Sequence, residues 1–126
     1  MKRAIKTNKA PSAIGTYSQA IKHGGLLYVS GQLPISPITM TLVKGGIDQQ
    51  IDQVLKNLTA IAHAAGVTLN ETIKFTVYLT ELSHSQKVNE AMSSVLIKPY
   101  PARVALEVSK LPQSALVEID AIIAVN

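Results

Sequence analysis

The residues that could carry chemistry in this chain are few, and they form no familiar catalytic or metal-binding motif. There is no cysteine, which excludes a thiolate nucleophile and sulfur ligands for a metal. The histidines His23, His63 and His84 lack the spacing of a metal site, and spacing alone assigns no Ser–His–Asp set. Glycine-rich signatures of nucleotide binding are also absent. We therefore predict no metal site.

One pair of carboxylates allows two interpretations. Asp48 and Asp52 lie four residues apart, so a helix would place both carboxylates on one face. Such a pair can bind a cation, but negative charge also stabilises the N-terminal end of a helix. We favour the second interpretation, in which both carboxylates are solvated.

Arg103 is the residue whose type and position point most clearly to ligand binding. It is the only arginine beyond residue 3, and it opens a strand predicted at 102–108. Alternation places it, with Ala105, on a face that mixes apolar and charged side chains. A guanidinium in a partly desolvated place needs an anion, and its planar fork matches a carboxylate. That anion is either an organic acid or, in a structural ion pair, Glu107 or Glu118.

A single domain spanning residues 1–126 must position these groups, because the length is typical of one domain and no repeat or linker interrupts it. Strands are predicted at 2–6, 18–22, 26–30, 72–80, 102–108 and 116–125, with a helix at 47–65 and a second helix that begins near residue 83. Residues 31–45, rich in Gly and Pro, are expected to be mostly loop. This order predicts an α+β fold with both helices on one face of a mixed sheet.

Hydrophobic periodicity supports the first helix and the strand after it. Apolar residues recur at steps of three and four between Ile47 and Ala65, and Gly66 is placed to end the helix. In the strand, every second residue from Ile73 to Leu79 is apolar. The start of the second helix is less regular, and there the spacing of Ser83 and Gln86 resembles a capping box. Pro99 and Pro101 end that helix.

The two faces of the predicted sheet differ in character. Along the last strand, every second residue from Val117 to Val125 is apolar, whereas the alternate positions are Leu116, Glu118, Asp120, Ile122 and Ala124. This second face has too many apolar groups to favour water and too many charges to be plain core. It suits an oligomer interface that contains a polar site. A hydrophobic fraction of 47% in so short a chain also favours a partner chain.

The charge pattern does not favour nucleic-acid or membrane binding. The formal net charge is +4, but the cations are scattered and the aromatic residues are only four tyrosines and one phenylalanine. The uncharged run 24–43 is long enough to cross a bilayer, but its glycines and prolines indicate strand, turn and loop. The basic N-terminus leads into no apolar segment of a secretory signal. We therefore expect a cytoplasmic protein.

Several short motifs, taken together, identify a family. They are Tyr17–Ala20 (YSQA), Ser30–Pro34 (SGQLP), the stretch from Gln50 to Asn57, the strand Lys74–Thr80, Pro101–Arg103 (PAR) and Leu116–Ile119 (LVEI). In order and position they resemble the RidA/YjgF family of enamine/imine deaminases. The resemblance implies a homotrimer of chorismate-mutase-like subunits, with the helices outside and the sites in clefts between subunits.

The resemblance also implies an activity, namely hydrolysis of 2-aminoacrylate-type enamines, or of the derived 2-imino acids, to 2-keto acids and ammonia. Arg103 matches the arginine that clamps the substrate carboxylate, and Glu118 matches the acid near the attacking water. The other pocket residues that it implies are Tyr17, Ser30, Gly31, Asn89 and Ala105. Neither a metal nor an organic cofactor is expected, because imines already hydrolyse in water and the enzyme need only position water and assist proton transfer.

The chain departs from the family pattern at several positions. Thr16 stands where proline usually precedes the tyrosine, Ala105 replaces a common cysteine, Met40 replaces a turn glycine, and segment 89–101 is shorter than usual. These changes affect the expected substrate preference and rate more than the fold. Two alternatives stay open: an endoribonuclease or translation inhibitor of the same fold, and a trimer that binds small carboxylates without catalysis.

Overall fold

The computed structural model covers residues 1–126 and shows one six-stranded mixed sheet with two helices. The strands are β1 (Arg3–Ile5), β2 (Ala20–His23), β3 (Leu26–Gln32), β4 (Thr72–Leu79), β5 (Ala102–Glu107) and β6 (Val117–Ala124). The helices are α1 (Ile47–Ala64) and α2 (Ser85–Val95), and short 3-10 turns lie at Leu69–Glu71, Leu82–His84 and Pro112–Ser114. The predicted α+β domain is confirmed.

The last strand of the chain lies near the centre of the sheet. The strand order is β1-β2-β3-β6-β4-β5, and β6 runs antiparallel to both of its neighbours. Because β4 and β5 are parallel, α2 forms the crossover between them. The outer sheet edges are formed by β1 and β5.

The core lies between the helices and one face of the sheet. The apolar stripe of α1 packs there, with Leu58 and Ile61 fully buried, and each such side chain stabilises the fold by about 1.5–3 kcal/mol. The helix ends as predicted, since Gly66 adopts a φ of 83° and its N–H donates to the His63 carbonyl. From β6, every second residue from Val117 to Ile123 is buried in the same core.

Two local predictions are wrong. The spacing of Ser83 and Gln86 does not cap α2, because residues 82–84 form a 3-10 turn and no side chain caps the helix after it. Ile73 is exposed, because a bulge in the pairing of β4 with β6 shifts the alternation by one residue. Thr72 is buried in its place, and its hydroxyl donates to the Leu69 carbonyl.

The segment 24–43 is built as predicted from strand and loop, and β3 extends to Gln32 before the loop begins. Within the loop, Ile35 and Leu42 form an isolated bridge. No helix of the protein combines the length and the apolar character that a membrane crossing requires.

The sheet surface opposite the helices is covered by no other part of the chain, and we call it the open face. It carries the mixed residues of β6 that the sequence predicts, together with Tyr28, Lys74, Thr76, Tyr78, Val104 and Leu106. Several of these are large, exposed apolar or aromatic side chains, among them Tyr28 and Val104.

The predicted orientation of β5 is wrong. Arg103 and Ala105 pair with the core residues Phe75 and Val77 of β4, so they lie on the helix side of the sheet and not on the face of Glu118. Alternation shows which residues of a strand share a face, but only pairing with a neighbouring strand decides which face that is.

Candidate active site

Arg103 borders a cavity between β5 and the C-terminal part of α2. Its Nη1 donates to Asn89 Oδ1 at 3.1 Å and lies 3.8 Å from the sulfur of Met92. The cavity has a volume of about 360 Å³; we call it the arginine pocket, and it is lined by Phe75, Asn89, Met92, Ser93, Leu96, Tyr100, Pro101 and Arg103. An apolar floor beneath a single cation can accommodate a small organic anion.

Arg103 has no carboxylate partner in the chain. The ion pairs of the structure are Lys56–Asp52, Lys87–Asp48 and His84–Glu81. The predicted structural pair with Glu107 or Glu118 is therefore wrong, because Glu107 accepts the Leu82 N–H and Glu118 lies on the opposite face. The guanidinium is exposed in the single chain, and its fork remains available for a carboxylate.

Glu118 lies half-buried near the N-terminal end of β6, on the open face. Burial raises the pKa of its carboxyl, and the negative charge of Asp120 raises it further. Asp120 in turn accepts a hydrogen bond of 3.0 Å from the hydroxyl of Tyr78. A glutamate whose pKa is raised accepts and returns a proton more readily than an ordinary glutamate carboxylate.

Gly31 allows Glu118 to take up this position. A β-bulge in β3 lies between Val29 and Gln32, and it directs Gly31 at the Glu118 carboxyl. A side chain at position 31 would collide with that carboxyl. The hydroxyl of Ser30, in the same bulge, donates a hydrogen bond of 2.6 Å to the Ser18 carbonyl. Close backbone approach is therefore the reason for a glycine here.

Tyr17 and Gly31 line a second cavity of about 250 Å³ at the C-terminal end of β3, which we call the tyrosine pocket. The hydroxyl of Tyr17 accepts the Ile14 N–H at 3.4 Å, which folds the ring back onto its own loop. Met40 and Gln113 also line this pocket, and both have left-handed backbone conformations, with φ of 58° and 57°. Such strained residues concentrate at functional sites.

Sequence reasoning gave Gln113 no role in the site. The residue lies between the strands predicted at 102–108 and 116–125, where the sequence indicates only a connection. No signal in the residue type marks the position, because left-handed conformations are expected for Gly and Asn and not for Gln.

The structure divides the predicted site residues into two groups. Arg103, Asn89 and Ala105 lie on the helix side around the arginine pocket or along its strand. Glu118, Gly31, Ser30 and Tyr17 lie around the bulge of β3. One chain does not bring Arg103 and Glu118 together.

No group of three or more His, Asp or Glu side chains is placed to hold a metal ion. Asp48 and Asp52 pair with Lys87 and Lys56 on the outer surface of the helices. They border the largest cavity, of about 920 Å³, which lies between α1 and α2 and contains none of the predicted site residues.

Comparison with known proteins identifies the family. The family model described as Endoribonuclease L-PSP matches residues 7–125. The chain belongs to this family, the RidA/YjgF/L-PSP (RutC) family. It is 51% identical to a RutC family protein of Pyrococcus horikoshii, over 97% of each chain. It is 41% identical to the 2-iminobutanoate/2-iminopropanoate deaminase of Mus musculus, over 97% of this chain and 90% of that protein.

Solved structures show the same RidA fold. RidA from the Antarctic bacterium Psychrobacter sp. PAMC 21119 superposes with a TM-score of 0.93 at 47% identity, over 98% of this chain and 99% of that one. E. coli TdcF, solved with bound serine, superposes with a TM-score of 0.89 at 32% identity, over 98% and 99% of the two chains. The resemblance seen in the short motifs is therefore confirmed.

Proposed function

We propose that this protein is an enamine/imine deaminase that hydrolyses 2-imino acids derived from 2-aminoacrylate to 2-keto acids and ammonia. The observation that carries the proposal is the exposed guanidinium of Arg103, which has no carboxylate partner and borders the arginine pocket. Mouse and human relatives are named as deaminases of this kind, and serine, bound in the TdcF structure, carries the same carboxylate group. The cytoplasmic location expected from the sequence remains part of this proposal.

The proposal includes a homotrimer whose sites lie between subunits. Arg103 and Glu118 lie on opposite faces of one sheet, so a cleft that holds both takes one residue from each of two chains. Exposed Tyr28 and Val104 on the open face give this assembly an apolar surface to bury. Closed rotational symmetry would then provide three identical clefts.

In the proposed mechanism, Arg103 binds the substrate carboxylate through two parallel hydrogen bonds, and Asn89 orients the guanidinium. The imine nitrogen is protonated when the substrate binds. Glu118 positions a water against the C=N carbon and accepts one of its protons as the C–O bond forms and the C=N electron pair moves onto nitrogen. Glu118 then returns this proton to the nitrogen of the carbinolamine, and the C–N bond breaks as the hydroxyl oxygen forms the C=O bond, so that ammonia leaves and the hydroxyl proton passes to solvent. General acid–base assistance of this kind accelerates reactions by about 10²–10⁴-fold.

The remaining predicted residues shape the cleft around these two groups. Tyr17 closes the pocket over the substrate, while Gly31 and Ser30 form the wall beside Glu118. Ala105 lies two residues beyond Arg103 on the same face, and it contributes through its backbone, since its side chain is a single methyl group.

The test generates 2-aminoacrylate in situ with a serine or threonine dehydratase and follows the decay of the imine signal. The protein should accelerate that decay, and Arg103→Ala should remove most of the acceleration, by about 10²-fold or more, because the substrate is no longer oriented. Lys44→Ala, which removes an exposed cation far from the arginine pocket, should leave the rate unchanged. An equal loss in both variants, or no loss with Arg103→Ala, would contradict the proposal.

A second candidate activity is RNA cleavage, which the description of the family model favours and with which the net charge of +4 is compatible. Cleavage of purified RNA that persists in the Arg103→Ala variant would support this activity. Carboxylate binding without either activity would instead support a non-catalytic trimer.

A further inference from the structure

Three residues of the open face form a compact polar group that the proposed mechanism uses only in part. Glu118 and Asp120 are two positions apart on β6, so they share a face at a spacing of about 6.6 Å along the strand. Tyr78 of β4 is the cross-strand partner of Glu118. Its hydroxyl nevertheless reaches diagonally to Asp120 Oδ2, at 3.0 Å.

Within one chain, the surroundings of this group provide no cation in contact with either carboxylate. From β4, Lys74 lies on the same face, but it pairs with Ile122 and forms no ion pair. From β3 the titratable group on this face is Tyr28, also opposite Ile122, and β5 contributes only the uncharged residues Ala102, Val104 and Leu106. Two neighbouring carboxylates without a cation hold a proton more readily than one carboxylate alone.

The group is asymmetric, because only one of its carboxylates receives a hydrogen bond. The Tyr78 hydroxyl donates to Asp120, and such a bond favours the charged form of the acceptor. Burial raises the pKa of Tyr78, as does its bond to Asp120, so the hydroxyl stays protonated and remains a donor. Glu118 packs against Gly31 and receives no such bond.

We propose that Asp120, held by the hydroxyl of Tyr78, is a positioning residue that directs the proton of this acidic pair onto Glu118. Asp120 keeps its negative charge and touches no substrate. Its charge makes Glu118 the carboxyl that takes up a proton from water and returns it to the leaving ammonia. The catalytic part of this inference rests on the proposed deaminase function, whereas the location of the proton does not.

The direct test is a pH titration of the Glu118 side-chain carboxyl by ¹³C NMR on the assembled protein. In Asp120→Asn the midpoint should move to lower pH, because the neighbouring charge is gone while the shape of the side chain is kept. Asp52→Asn removes a carboxylate from the exposed pair with Lys56 on α1 and should leave the midpoint unchanged. An unmoved midpoint in Asp120→Asn, or an equal shift in Asp52→Asn, would overturn the inference.

Tyr78→Phe keeps the ring and removes only the hydroxyl. The Glu118 titration should then broaden, because both carboxyls compete for one proton. If Asp120→Asn does not fold, Tyr78→Phe still tests whether this polar group determines where the proton resides. A Glu118 titration as sharp as that of the parent would contradict the role of the hydroxyl.

The catalytic consequence is tested by the pH profile of kcat/KM in the imine assay. The acidic limb should move to lower pH in Asp120→Asn, with a loss of less than about tenfold at the plateau, because Asp120 supplies only part of an acid–base effect of about 10²–10⁴-fold. An unmoved limb would overturn the catalytic part of the inference. Absence of deaminase activity in the parent protein would overturn the proposed function, while the NMR titration would still decide where the proton resides.

Discussion

The two faces of the sheet carry opposite and unbalanced charges. On the helix side, the positive charge of Arg103 is met only by neutral groups, the amide of Asn89 and the sulfur of Met92. On the open face, Glu118 and Asp120 are met only by the hydroxyl of Tyr78. Each face therefore has one of the two groups that the proposed site requires, the cation on the helix side and the carboxylate on the open face. In the single chain the two groups lie apart. In the proposed trimer, the substrate and the neighbouring subunits complete the charge balance.

The largest predicted effect is recovery of activity when two inactive variants are mixed, and it tests whether the two faces of different chains form one site. Arg103→Ala and Glu118→Gln should each lose most activity alone, but trimers refolded from an equal mixture should recover about a quarter of the parental activity. The reason is that one in four clefts then combines an intact arginine from one chain with an intact glutamate from the next. Activity is measured by imine decay after joint refolding.

A matched control for this mixture pairs Arg103→Ala with the double variant Arg103→Ala/Glu118→Gln. No chain in that mixture carries Arg103, so no cleft can recover. If the first mixture recovers no more activity than this control, the two faces do not meet in a shared site.

Gly31→Ala should have the next largest effect, because the new methyl group collides with the Glu118 carboxyl and displaces it. We expect a loss of about 10²-fold in kcat/KM, as misplacement of a reacting group by 1 Å can have this effect. Gly25→Ala is the control, since a methyl group there meets only the Val125 carbonyl at an ordinary 3.5 Å. Parental activity in Gly31→Ala would show that the position of Glu118 does not matter.

Asn89→Ala should have a smaller effect on the helix side. It removes the polar partner of the Arg103 guanidinium and should raise KM about three- to tenfold with little change in kcat, the effect of one hydrogen bond of about 0.5–1.5 kcal/mol. Ser94→Ala, which breaks only a local bond to the Ala91 carbonyl on the same helix, should leave KM unchanged. A fall in kcat at constant KM would place Asn89 in the chemical step instead.

The smallest predicted effect is that of Glu118→Gln on the stability of the fold. The substitution should raise the stability although it lowers the activity. The raised pKa of Glu118 means that the folded state disfavours the carboxylate, so stability is lost as pH rises above the ordinary glutamate pKa. The variant should therefore melt a few degrees above the parent at pH 7, and this difference should shrink at pH 4, where both side chains are neutral. A variant that melts below the parent at pH 7 would contradict this.

The sequence predicts the elements with strong periodicity, and it is wrong where only tertiary pairing decides. The stripe of α1 and the alternation of β6 are each buried on the expected side. Alternation in β5 is equally regular but carries no information about which sheet face Arg103 occupies, and pairing with β4 places Arg103 on the face opposite to the expected one. The bulge that exposes Ile73 also arises from pairing with another strand.

Apart from Arg103, which its residue type and strand position already mark as a candidate, the candidate site residues follow from the family resemblance and not from residue spacing. The arginine, the glutamate and the glycine lie far apart in the chain, and no local pattern connects them. Neither residue spacing nor the family resemblance predicts a role for Gln113. Its left-handed conformation is imposed by the surrounding fold, and glutamine as a residue type gives no sign of it. Likewise, the bond between Tyr78 and Asp120 spans 42 positions and depends on the register of two strands.

The strand that carries Arg103 ends the sheet, and its outer edge is unpaired in the single chain. Free N–H and C=O groups along such an edge readily recruit a further strand from another molecule. Dilution to a concentration at which the proposed trimer dissociates should therefore abolish turnover and also expose this edge on single chains. Such chains should aggregate through the exposed edge and precipitate, so storage at high protein concentration should keep the preparation in solution.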